Sequence, residues 1–297
     1  MKNLVKDVII VNFTHKKYFP NKTKMQIITK RTIMKKYIQK HQIVFYYCTA
    51  FALGWIPIFL ITGSPAYSAP IPLIVAFALK WFLNGKLGLK ELSRLCFSVR
   101  IPRRIWTLSL FVPLVLTLIP MLIFGFIRGA WPEFAYLDKF LPLIVSLLFW
   151  FTPLSGGFLE LGFQSFALPI LEKRFGPLIG ATIVGFFLGS FMLPDFFRAG
   201  SPQAQMGNNF ILWFILSEIG IAYMIAYLCN KSNGKVFAGG YIFHVMNNVF
   251  ISLFLVEQGV INGSFDQILL WLIAGTYILG GLFTVIVTKG RLGFDKE

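Results

Sequence analysis

Residues 105–127 read IWTLSLFVPLVLTLIPMLIFGFI, a run without a single charged side chain. As a helix it is long enough to cross the ~30 Å hydrocarbon layer of a bilayer. The run is not isolated. Similar apolar stretches occupy about 43–62, 69–84, 140–157, 177–197, 209–229, 236–256 and 267–288, separated by charged or Pro/Gly-rich breaks. Composition agrees: of 297 residues 56% are hydrophobic, 17% aromatic and 13% charged, and mean hydropathy is +0.70. Ordinary soluble domains carry about 25% charge, so this chain lacks the polar surface to cover a globule of its size. The expected fold is all-α: a multi-pass membrane helical bundle of about eight transmembrane helices.

The net charge of +16 is not spread evenly. Eleven of the 28 basic residues lie in residues 1–40, and six more in 85–104. Lys173, Arg174, Lys231, Lys235, Lys289, Arg291 and Lys296 follow. With eight spans these 24 fall on one side, against Arg128, Lys139 and Arg198 on the other. Such a split places both termini in the cytoplasm and favours contact with anionic lipid. No aromatic-interleaved or folded reader motif accompanies the basic tail, so nucleic acid is not an expected partner. The chain therefore divides into a basic tail (1–42), a membrane domain (43–290) and a short cytoplasmic tail (291–297). Residues 1–33 read either as a disordered basic tail or as an over-extended start, with Met25 and Met34 as alternatives to Met1. Three cysteines without CxxC spacing (Cys48, Cys96, Cys229) make neither a disulfide framework nor a zinc site.

Polar groups inside so apolar a chain are costly unless paired or facing a cavity, so they point to function. His244 and Asn248 are spaced i, i+4 and share one helix face. Two donors one turn apart suit an oxyanion site for acyl transfer; the competing reading is hydrogen-bonded glue between helices. Glu160 and Gln164 have the same spacing, and Glu160 reads either as a general base or as an interfacial glutamate near Lys173 and Arg174. Glu218 reads as a lone carboxyl bonded to a neighbouring helix, and Asp195 as facing water near Arg198. There is no HExxH, no Walker A and no dinucleotide-binding glycine pattern. Ser155 lacks the glycine two residues before it that a nucleophile elbow carries. No motif requires a metal or a cofactor.

A series of motifs is familiar. Residues 156–171 read GGFLELGFQSFALPIL, followed by EKRFGPL at 172–178, FMLPDFF at 191–197, NKSNG at 230–234 and FHVMNN at 243–248. In order and spacing this resembles the CPBP family of CAAX proteases and bacteriocin-processing enzymes, also called Abi, which are intramembrane endopeptidases. The likeness is most specific over 153–250 and extends over about 43–290. It implies a membrane cavity open toward the cytoplasm between the fourth, fifth and seventh spans, and a peptide or lipidated peptide as partner besides membrane lipid. With no eukaryotic sorting signal in the chain, it also implies a bacterial plasma membrane.

The family's first motif is EExxxR, its second a histidine in a WHLP context, its third HxxxN. By resemblance, the water-activating first glutamate falls on Leu159, the second on Glu160 and the arginine on Gln164. The second-motif histidine falls on Met192. The third motif stands whole as His244 and Asn248, the family's oxyanion-stabilising pair. Leucine accepts no proton and a thioether is a weak acceptor, so base, water-holder and cation are absent as a set. The expectation is a catalytically impaired member that keeps its cavity and binds a peptide or lipidated peptide in a regulatory or immunity-like role. Two alternatives stand beside it: a working endopeptidase using Glu160, His244 and Asn248, and a structural or transport membrane protein.

Overall fold

The computed structural model describes residues 32–129, 144–145, 148–255 and 266–294. The chain forms two compact units, Met1–Lys40 and His41–Glu297. In the first, residues 32–40 are helical; the rest of the expected tail lies outside the described residues. In the second, every regular element among the described residues is helical. Helices α1 (Gln42–Thr62), α2 (Ile71–Phe97) and α3 (Arg103–Arg128) come first. Next, α4 (Gly157–Gly162) runs through a π turn (Phe163–Ala167) into α5 (Leu168–Phe175). Helix α6 (Pro177–Phe191), a 3-10 turn (Leu193–Phe197) and the short α7 (Pro202–Met206) lead to α8 (Ile211–Lys231). A second π turn (Phe237–Ile242) opens α9 (Phe243–Leu255), and α10 (Gln267–Val287) closes the bundle.

Among the described residues six helical stretches are long and apolar enough to cross a membrane: α1, α2, α3, Pro177–Phe197, Asn208–Lys231 and α10. They match six of the eight expected spans. Of the expected span at 140–157, residues 140–143 and 146–147 lie outside the described residues. Its described end departs from expectation: residues 151–156 form turns, and helix resumes only at Gly157. The expected span at 236–256 is a helical run that starts as a π turn before α9. Leu60, Ile61, Phe126, Phe283 and Ile286 are all exposed, as side chains solvated by lipid rather than water should be.

The membrane part of α2 ends where its apolar run does. Gly85 takes φ 62°, ψ −145°, a conformation open to glycine but not to residues with a Cβ. The chain doubles back there, so a Cβ on Gly88 would stand 2.6 Å from the Lys80 carbonyl oxygen. The basic stretch after Gly85, expected as a loop, is thus helical as far as Phe97. It belongs to the basic end of the bundle. The Val236 N–H donates to the Leu95 carbonyl at 2.9 Å, Lys235 donates to the Arg100 carbonyl, and Asn230 donates to the Leu292 carbonyl at 3.0 Å. At the other end, Arg128 pairs with Asp266, whose Oδ1 caps α10 by accepting from the Ile268 N–H.

Two features hold the bundle. Between α1, the first π turn and α6 lies an aromatic core of Tyr46, Tyr47, Phe163, Phe166, Phe187 and Phe191. Tyr47 stacks on Phe187 with centroids 4.0 Å apart, and Tyr46 meets Phe166 at 4.8 Å. Offset and edge contacts of this kind add to the gain from burial. The second feature is α8, whose backbone is touched on two sides. A Cβ on Gly185 of α6 would stand 2.6 Å from the Ile219 Cα, and one on Gly220 would stand 2.4 Å from the Tyr277 carbonyl oxygen of α10. Small residues that let backbones meet are how helices pack where lipid offers no hydrophobic drive. Gly220→Leu is therefore expected to destabilise the fold by about 3 kcal/mol through overpacking. Gly275→Leu, where nothing lies within 4 Å of the added Cβ, should change stability by less than about 0.5 kcal/mol. Unfolding titrations in mixed detergent check the contrast.

Candidate functional site

The site is assembled where α4 passes α9. The π turn after α4 leaves Glu160 and Gln164 buried, each 1% exposed. Gln164 Nε2 donates to Glu160 Oε2 at 2.9 Å, and His244 Nδ1 lies 3.2 Å from Glu160 Oε1. A carboxylate on Nδ1 fixes the ring's rotation and places a proton on that nitrogen, leaving Nε2 as the free position. Nε2 rests against backbone: a Cβ on Gly156 would stand 2.4 Å from it. The turn Ser155-Gly156-Gly157 is thus the floor on which α9 lies. The Ser155 hydroxyl donates to the Trp150 carbonyl at 2.6 Å, closing that turn.

His244 borders a cavity of about 710 Å³, together with Asn248, Asn247, Met192, Asp195, Glu218 and Tyr277. The two asparagines divide the readings left open by the sequence. Asn247 Oδ1 accepts from the Tyr277 hydroxyl at 2.8 Å, which is glue between α9 and α10. Asn248 is half-buried and has no hydrogen-bond partner among the described residues, so its carboxamide is available to a ligand. Neither Leu159 nor Glu160 borders the cavity. Leu159 is fully buried in the core, and Glu160 reaches the site only through His244.

Two expectations need correction. Asp195 does not simply face water: it is 6% exposed, borders the cavity and accepts from Arg198 at 3.1 Å. Glu218 bonds to no neighbouring helix among the described residues and instead lines the cavity. Part of the lining (Ala66, Tyr67, Arg198, Gln203) comes from the α1–α2 and α6–α8 connections, at the end of the bundle away from the basic segments. The reason is the route of α6: it ends at Phe191, whose carbonyl accepts from Trp55 and whose ring meets Tyr67, so Met192 to Arg198 fold over that end. Sequence reading missed Tyr277 and the Trp150–Ser252 pair at 3.0 Å, because a tyrosine or a serine in an apolar run carries no positional signal.

A second polar group lies away from the cavity at the basic end. Glu172, on α5 outside the membrane spans, is buried and accepts from Asn230 at 2.7 Å. Burial pushes its carboxyl up from 4.5 to about 7, against the smaller opposing effect of the Asn230 hydrogen bond.

No family model matches the chain. It is similar to the CAAX prenyl protease 2 of Methanococcus maripaludis, at 27% identity over 128 residues. The match covers 42% of this chain and 45% of that protein, so it spans less than half of the relative's length.

A carboxyl whose folded pKa is raised holds its proton in the folded state after the unfolded chain has lost it. Stability from Glu172 is therefore full below about pH 4.5 and falls as pH rises through about 7. Thermal melts at pH 5 and pH 8 should show a lower Tm at the higher pH, and Glu172→Gln should narrow that gap. An unchanged gap would remove Glu172 from the explanation.

Proposed function

Since the chain is a membrane protein of the CPBP family, to which CAAX proteases belong, we propose that it is a catalytically impaired member that binds a peptide or lipidated peptide without cutting it. Its role would be regulatory or immunity-like, in a bacterial plasma membrane, with eight spans and both termini cytoplasmic. The observation that carries this reading is the position of the one glutamate left in the first motif. Glu160 is turned away from the cavity and spends both oxygens, one on His244 Nδ1 and one on Gln164. A general base must come within hydrogen-bond reach of the attacking water, directly or through one water. Glu160 has no place there, and the adjoining motif position is Leu159, sealed in the core.

What remains suits binding. Held through Nδ1 by Glu160, His244 presents Nε2 beside the free carboxamide of Asn248, where an Nε2–H is a second donor. Two donors fixed at the wall of the cavity recognise a carbonyl oxygen. The proposed site is then His244 and Asn248 touching the ligand, with Glu160 as the positioning residue behind the imidazole. The rival reading, an endopeptidase in which Glu160 activates water, needs that carboxylate to leave His244 and swing into the cavity.

The test uses the protein in nanodiscs with S-farnesylated cysteine peptides, following both binding and product mass. Binding without cleavage is expected, weakened about tenfold by Asn248→Leu through loss of one hydrogen bond. Cleavage that disappears in Glu160→Gln would overturn the impaired reading in favour of the rival. Gly156→Ala tests the floor: by displacing the imidazole it should weaken binding at least as much as Asn248→Leu, while the protein stays folded by thermal melt.

A further inference from the structure

Three carboxylates stand in or behind the cavity, and two have an ion-pair partner, although Asp195 Oδ1 is itself buried without a hydrogen bond. Asp195 pairs with Arg198, and Glu160 takes His244 and Gln164. Glu218, from the middle of α8, is 8% exposed, and its Oε2 is cut off from solvent with no hydrogen-bond partner. No ion pair or hydrogen bond reaches the side chain among the described residues. The packing leaves room for it: a Cβ on Gly189 of α6 would stand 3.3 Å from both Cβ and Cγ of Glu218. With the other two carboxylates paired, an ionised Glu218 has no counter-charge within ion-pair distance among the described residues. An ionisable group unpaired at membrane depth is a mark of function rather than of structure.

We propose that Glu218 is the recognition group for a protonated amine that the ligand carries into the cavity; this rests on the ligand-binding reading above and names the ligand's chemistry. An ammonium supplies the missing charge and can donate to both carboxylate oxygens. The cavity walls suit it as well, since Tyr67, Trp150, Phe214 and Tyr277 border the same space and aromatic faces attract cations. A divalent metal fits less well: among the described residues no three His, Cys, Asp or Glu side chains are grouped to hold one. The amine belongs either to a lysine or N-terminus of a peptide or to the headgroup of an aminolipid.

The experiment separates these sources. Wild-type protein in phosphatidylglycerol nanodiscs is titrated with acetylated, S-farnesylated peptides carrying one lysine at successive positions before the cysteine, and with their Nε-acetyl-lysine twins. In parallel, native mass spectrometry of protein from mixed phosphatidylethanolamine and phosphatidylglycerol nanodiscs follows which lipid is retained. The expected result is that at least one lysine peptide binds about tenfold or more tightly than its acetylated twin, the margin of a charge-assisted hydrogen bond. Glu218→Gln should abolish that preference and Glu218→Asp should keep part of it. Equal binding of all twins, with no Glu218-dependent lipid retention, overturns the amine site and leaves the peptide reading standing. If no peptide binds but phosphatidylethanolamine is retained and lost in Glu218→Gln, the peptide reading falls and the amine site stands, with a lipid as its ligand. If neither peptide nor lipid depends on Glu218, the proposal is wrong.

Discussion

Helix α8 cannot move without moving the cavity, because its neighbours touch it backbone to backbone. Gly185 of α6 meets it at Ile219, and Gly220 meets α10 at Tyr277. Inside a bilayer, apolar side chains gain nothing by leaving lipid for protein, so such close approach and the hydrogen bonds it permits do the holding. The same crossing presents Glu218 from α8 and Tyr277 from α10 to one space, and Tyr277 in turn holds Asn247 of α9. A bundle fixed at this seam has a cavity whose polar groups are set before any ligand arrives. Preorganisation of that kind is what makes a few hydrogen bonds effective.

The second constraint is the buried Glu160. A carboxylate with 1% exposure needs its lone pairs met, and it meets them with His244 and Gln164. Gln164 offers a donor without a charge, which leaves the imidazole as the one basic group in contact with Glu160 among the described residues. The imidazole and the amide thus share the one buried carboxylate. Removing one partner of such a pair is costly, since the other is left uncompensated. Glu160, Gln164 and His244 therefore form one structural unit, whatever chemistry the cavity performs.

Much of the architecture was legible in the chain. The uncharged run at 105–127 and its counterparts are long enough to span, and hydrogen-bond arithmetic in lipid allows little but helix. The basic residues at 86–104, 231–235 and 291 do gather at one end, as the Lys235–Arg100 and Asn230–Leu292 contacts show. Other features were not legible. A reversal at Gly85 with helix beyond it, and turns at 151–156 where a span was expected, depend on what the neighbouring segments pack against. Periodicity carries no record of that.

The i, i+4 spacing of His244 and Asn248 fixed them on one face of a helix, because 3.6 residues make a turn. Which space that face borders, and that Asn247 rather than Asn248 serves as interhelical glue, was decided by the arrival of α10 with Tyr277. Spacing likewise joined Glu160 to Gln164, yet only the crossing of α4 and α9 turned Glu160 onto the imidazole and away from the cavity. Glu218 is the clearest case: the sequence marked it as expensive, since a charge in hydrocarbon always is. Whether a neighbour met that charge or left it open depended on helices remote in sequence, and their approach is set by packing that no local pattern encodes.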